Sequence, residues 1–317
     1  MNKKGFEFSF GWLFAIVVGA AIIFLAIYAA VKLVTTERSV QDTEMAKQLE
    51  TILTPIETGA ETGKSVTPIV FPSETRVYNN CSTEGNFGVQ TMAIATSSGI
   101  GQKWQEPGYE IKSYNKYIFS PAMIQGKEVY AFSKPFSMPF KIANILFLWT
   151  DKYCFVNPPT EMSKEITSLD LRNINVTLFL NECSKNSKKV CFYTEEPSCN
   201  IVVNPTMKTV FKDGKTVFYE DYSLLYGAIF SEPEVYECQV KRLMKRASEL
   251  ALLYSSKSEI VAARAEGCSS NLQGDLGRFA DVSAQINNSI DLEKLYFTSE
   301  SLRNENSRIT TCRLWED

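Results

Sequence analysis

Eight cysteines and no histidine set the chemical limits of this 317-residue chain. The cysteines stand at 81, 154, 183, 191, 199, 238, 268 and 312, so the first eighty residues carry none. An even number gathered in one part of a chain suits disulfides formed in an oxidising compartment. Zinc is the competing use of such residues, but no C-x-x-C pair occurs and no imidazole is available. Cys183 and Cys191 bracket the polar tract Ser184 to Lys189 between two expected strands, which predicts a Cys183–Cys191 bridge closing a hairpin loop. Without histidine, neither a Ser-His-Asp nor a Cys-His nucleophile can be assembled.

Carboxylates remain. A glycosidase-like site needs only two acids in one cleft, and Glu195-Glu196 and Glu161/Glu165 are the available pairs. Surface acids have the same appearance in sequence. Residues 57–65, ETGAETGKS, imitate a phosphate-binding loop, but that motif needs glycine where Thr58 stands. Thr96 to Gly101 lacks the strand–loop–helix setting of a dinucleotide fold and reads as a turn. The basic run Lys241, Arg242, Lys245, Arg246 could meet acidic headgroups or nucleic acid, but with a net charge of −3 it reads as a solvated helix face. The expectation is a chain with no catalytic residues, no cofactor, no metal and no nucleic-acid partner.

The element that positions everything else lies near the start. Phe8 to Val31 holds no charge and would span roughly 36 Å as a helix, against a hydrocarbon core of about 30 Å. It exceeds a signal-peptide core of about 7–15 residues, and core helices seldom run this long without a polar residue. Trp12 and Tyr28 lie near its ends, where amphipathic rings favour the interface. Lys3 and Lys4 precede it, although Lys32 and Arg38 follow. The positive-inside rule therefore favours a cytoplasmic N-terminus, with the bulk of the chain outside.

No glycine or proline occurs between Ala20 and Thr54. One helix from about Phe8 to Thr54 is therefore expected, stopped by Pro55, Gly59 and Gly63. Met45, Leu49, Ile52, Leu53 and Ile56 recur at helical spacing, a stripe that should dock on the following domain. Ala15/Gly19 and Ala26/Ala30 would permit close contact with another membrane helix.

From about 68 to 230 short apolar runs alternate with turn signals, among them Gln125-Gly126-Lys127 and Lys212-Asp213-Gly214-Lys215. A single helix, Glu161–Leu169, opens behind Pro158-Pro159. Ser231-Glu232-Pro233-Glu234 reads as a capping box. The stripe Tyr236, Val240, Leu243, Ala247, Leu250, Tyr254 follows it, ending at Lys257. A further helix is expected over Leu292–Arg303, with Cys268 and Cys312 placed to tie down the tail. Sequons at Asn80, Asn175 and Asn287 are compatible with glycosylation outside the cell.

The expected fold is α+β. It comprises a basic lead-in (1–7), a transmembrane helix (8–31) and a helical rod (32–57). A mainly antiparallel, disulfide-containing β domain (58–230) and a helical region (231–317) complete it.

MNKKG followed by Phe6 and a long apolar helix resembles the class III signal of archaeal type IV pilin-like proteins. That resemblance implies a peptidase cut between Gly5 and Phe6 and a helix that packs in a filament core. The glutamate that the family carries at the fifth mature position stands here at the second, Glu7. The whole chain also resembles single-pass membrane proteins of small-genome archaea, a likeness that implies no activity. The expected role is that of a non-enzymatic, single-pass surface protein in structure or assembly, with the bilayer and neighbouring membrane or surface proteins as partners. An anchored binding module for a glycan, peptide or envelope partner is the second expectation. A carboxylate-dependent envelope hydrolase is the third.

Overall fold

The computed structural model describes residues 10–58, 68–97, 104–171, 173–194, 196–264, 270–309 and 313–316. The fold is α+β, with a long apolar N-terminal helix, two mixed sheets and C-terminal helices.

Helix α1 runs unbroken over Phe10–Glu57, 48 residues, or about 72 Å. Leucine, alanine, lysine, glutamate and glutamine propagate it. At its β-branched positions the hydroxyls of Thr35 and Thr36 donate back to the Lys32 carbonyl. Pro55 lies inside the last turn, so the helix continues slightly past the expected stop. Residues 10–37 are exposed apart from a half-covered Gly19.

The first sheet has the order β3-β2-β1-β5-β6-β4. Its members are β1 (Ile69–Ser82), β2 (Val89–Thr96), β3 (Ile111–Ser113), β4 (Ile118–Phe119), β5 (Met123–Ser137) and β6 (Lys141–Trp149). All pairs are antiparallel except β4 with β6. The period-2 pleat sorts its side chains between two layers. Val77, Met92, Ile94, Leu146 and Leu148 pack with Ala46, Leu49 and Leu53 of α1. Phe119, Phe132, Phe147 and Trp149 face the main core. The expected turn at Gln125-Gly126-Lys127 is instead strand. The stretches on either side of it both pair with β1, across a register shift between Val70 and Thr75, so β5 bends without reversing.

The second sheet has the order β12-β11-β10-β9-β7-β8. It contains β7 (Tyr153–Val156), β8 (Ile174–Thr177), β9 (Lys188–Phe192), β10 (Ile201–Asn204), β11 (Thr209–Lys212) and β12 (Lys215–Phe218). Here the mainly antiparallel expectation is corrected: β8, β7, β9 and β10 run parallel. Helix α2 (Thr160–Ser168) makes the crossover from β7 to β8. Asp213-Gly214 does turn β11 into β12, with both residues at positive φ, as a two-residue hairpin requires.

This topology overturns the Cys183–Cys191 bridge. A hairpin would set β8 beside β9, but β7 lies between them. Cys183 therefore pairs with Cys154 of β7 (Cα–Cα 5.7 Å), and Cys191 with Cys199 (6.0 Å). A third bridge, Cys81–Cys238, ties β1 to the long helix that begins at Pro233. Cys268 and Cys312 lie outside the described residues.

Helices α3 (Tyr222–Phe230), α4 (Pro233–Arg264), α5 (Gln273–Ala284) and α6 (Glu293–Arg308) complete the chain. Asp221 caps α3 by accepting from the Leu224 N–H. The capping-box reading of Ser231 is corrected, because its hydroxyl donates back to the Gly227 carbonyl. Lys257 does not end α4: its ammonium reaches over to the Leu314 carbonyl, and the helix runs on to Arg264.

Candidate functional site

Three surfaces merit description: the seat of α1, a polar cleft at its far end, and an apolar face on the second sheet.

In the seat, α1 buries Asp42, Ala46, Leu49 and Leu53 against the first sheet. Met45 and Ile56 flank them, while Ile52 points outward, 44% exposed. The expected stripe is thus rotated by part of a turn. Asp42 accepts the hydroxyl (2.8 Å) and the N–H (3.3 Å) of Thr96. Thr43 Oγ1 accepts the Tyr109 N–H at 2.9 Å. Gly108 packs so tightly here that a Cβ would lie 2.6 Å from the Thr43 nitrogen.

Past the seat, a cleft of about 560 Å³ opens between the end of α1, the start of β6 and α4. Glu50, Glu57, Lys116, Lys141 and Arg246 line it. Most of these charges have partners. Lys116 Nζ, almost fully buried, reaches Glu57 (3.2 Å) and Thr54 (2.8 Å), and Ser113 donates to Glu50. Arg246 Nε donates to the Ile142 carbonyl at 2.8 Å.

Behind the cleft lies Arg242, fully buried. Its guanidinium donates to the carbonyls of Phe87, Lys116 and Tyr114 and to Gln239 Oε1. It also sits 4.8 Å from the ring centre of Tyr117. Desolvation lowers its pKa to about 10, partly opposed by Tyr117. The basic run read as a solvated face is therefore divided. Arg242 is a core residue, and Lys245 caps the β1–β2 turn through the Thr83 and Gly85 carbonyls.

The third surface is apolar. Val202, Phe211 and Phe218 project from the outer side of β10–β12 into a groove of about 620 Å³ that reaches Met207 and Cys199. A second groove, about 470 Å³, shares Met207 and Phe218 and adds Ile290, Tyr296 and Phe297. Met207 is 67% and Phe297 75% exposed.

Glu161 is exposed, whereas Glu165 is held by Lys134 and by the Tyr226 hydroxyl (3.1 Å). Neither lines the polar cleft that holds Glu50 and Glu57. Glu195 lies outside the described residues, as do Gly5, Phe6 and most of the glycine-rich segment after α1. Among the described residues no three histidine, cysteine or acidic side chains gather to hold a metal ion. Asn80, Asn175 and Asn287 are all exposed. Asn175 lies on the edge strand β8. Near Asn287, the Ser289 hydroxyl is committed to Glu237 and to the Phe218 N–H. Burial raises the Glu237 carboxyl above its ordinary pKa, against the two hydrogen bonds from Ser289 that lower it.

Sequence reasoning missed the Thr96–Asp42 contact and the apolar grooves, because both join segments far apart in the chain. Compared with family models, curated proteins and solved structures, the chain matches none of them.

Proposed function

We propose that this chain is a single-pass membrane-anchored surface protein with a structural or assembly role, its folded domain outside the cytoplasm. One observation carries the reading. A single helix is exposed and apolar over its first half, long enough to span a bilayer, and is seated in the core of a folded domain over its last turns. An apolar length without protein cover needs lipid or other helices around it. A helix continuous through both parts transmits position rigidly between membrane and domain. The leader resembling pilin-like signals supports an assembly role, with a cut between Gly5 and Phe6.

The test is extraction of the native protein from membranes, followed by intact mass. Retention in the pellet at alkaline pH and digestion of the folded domain by protease added to intact cells after mild reduction are the expected results. Release by alkali, or protection until lysis, would refute the anchoring and topology respectively. The mass reports the Gly5–Phe6 cut and any sugar at Asn80, Asn175 or Asn287.

A second reading, an anchored binding module, is favoured by the adjoining grooves that share Met207 and Phe218. Contiguous exposed apolar surface of this kind marks interaction sites.

A further inference from the structure

We propose that Trp104 and Tyr109, which precede β3, rest on the lipid headgroup layer, so that the domain lies against the bilayer. The inference builds on the anchoring reading and adds which edge of the domain faces lipid.

The direction follows from the seat of α1. Ser113, paired with Gln90 at the start of β2, meets Glu50. Thr96, at the end of β2, meets Asp42. Strand β2 therefore descends along α1 toward the apolar half of the helix. Ser97, the next residue in that direction, bridges to Trp104. Trp104 thus lies nearer the span than the last seat contact. Tyr109 is fixed at the level of Thr43 by its backbone N–H and keeps 75% of its surface exposed.

The distances suit contact. The charge-free run ends at Val31, and exposed Leu33 and Val34 follow Lys32, so eight to eleven residues, about 12–16 Å of helix, separate the lipid edge from Asp42. The headgroup region occupies roughly 5–7 Å on each side of the hydrocarbon core. That leaves a gap of about 5–11 Å, one to two aromatic side chains deep. Phe10 to Val34 would span about 37 Å against a core of about 30 Å, an excess that tilting accommodates, and a tilt toward its seated domain narrows the gap. Tryptophan and tyrosine are the residues that favour this layer. The Arg76 guanidinium stacked 3.9 Å over the Trp104 ring adds a cation suited to lipid phosphates.

The test uses the full chain carrying Trp12→Phe in phosphatidylcholine vesicles that contain a headgroup-nitroxide lipid. Trp149 and Trp315 are buried, leaving half-buried Trp104 as the most accessible of the remaining indoles. Its emission should fall about twofold relative to nitroxide-free vesicles, as expected of an interfacial ring. Residual emission of the Trp12→Phe/Trp104→Phe chain should not change. Adding Tyr114→Trp to that double variant places an indole at the far end of the seat and should give no quenching. Unquenched Trp104, or equal quenching at 104 and 114, would overturn the proposal. Trp12 in a Trp104→Phe chain, read with acyl-chain nitroxide lipid, separates the two levels. If Trp12 is quenched and Trp104 is not, only this inference falls; if neither is quenched, the anchoring reading falls with it.

Discussion

Asp42 accepts both the hydroxyl and the backbone N–H of Thr96, and this buried carboxylate fixes the height at which the domain grips its helix. Replacing Asp42 by alanine strands both donors, a loss of about 1–3 kcal/mol. Denaturant unfolding of the detergent-solubilised chain should show a lower midpoint. No change would mean that water replaces the carboxylate and that the seat is looser than its geometry.

The seat also predicts a contrast between neighbours. Leu53→Ala empties a fully buried position and should cost about 2–5 kcal/mol. Ile52→Ala, one residue away on the outward side, should stay within about 0.5 kcal/mol. Equal losses would place the rotation of α1 in error.

Lys212 supplies a pH signature. Its buried ammonium donates to the Ile229 and Ser231 carbonyls at the end of α3, and desolvation lowers its pKa to about 8. The unfolded value is about 10.4, so between the two the unfolded chain binds more protons and stability must rise with pH. The full increment is about 3 kcal/mol across that window. Lys212→Met should flatten the rise, measured as unfolding free energy at pH 7.5, 9 and 10.5 in matched buffers.

Non-reducing peptide mapping should recover Cys154–Cys183, Cys191–Cys199 and Cys81–Cys238. Removing the last with a Cys81→Ser/Cys238→Ser pair should cost about 2–4 kcal/mol. Recovery of Cys183–Cys191 in the oxidised protein would reinstate the hairpin and break the parallel order of β8, β7 and β9.

The helix was legible because its signals are local: absence of glycine and proline, and an uninterrupted apolar run. The same holds for the Asp213-Gly214 turn and for α2 behind its prolines. Strand β1 was not, because Pro72 and the polar stretch Ser73 to Arg76 hide its alternation. Helix α3 escaped because eight of its nine residues are buried, which leaves no periodic face to read. The disulfide error was topological: loop polarity shows that Cys183 and Cys191 flank a turn, but not that β7 passes between their strands. For the candidate surfaces, Met207, Phe211 and Phe297 look like ordinary core residues until packing leaves them outside.

Because Ala46, Leu49 and Leu53 fill one layer of the first sheet, the boundary between anchor and cargo does not coincide with the end of α1. A protease that clips the helix between Thr36 and Gln41 would shed an intact, soluble domain carrying its own stub of helix. A cut after Glu57 would instead strip Phe71, Val77, Met92 and Ile94 of their cover and release a sticky, aggregation-prone remnant. Any soluble form of this protein, whether shed in nature or produced for crystallisation, must begin upstream of Asp42.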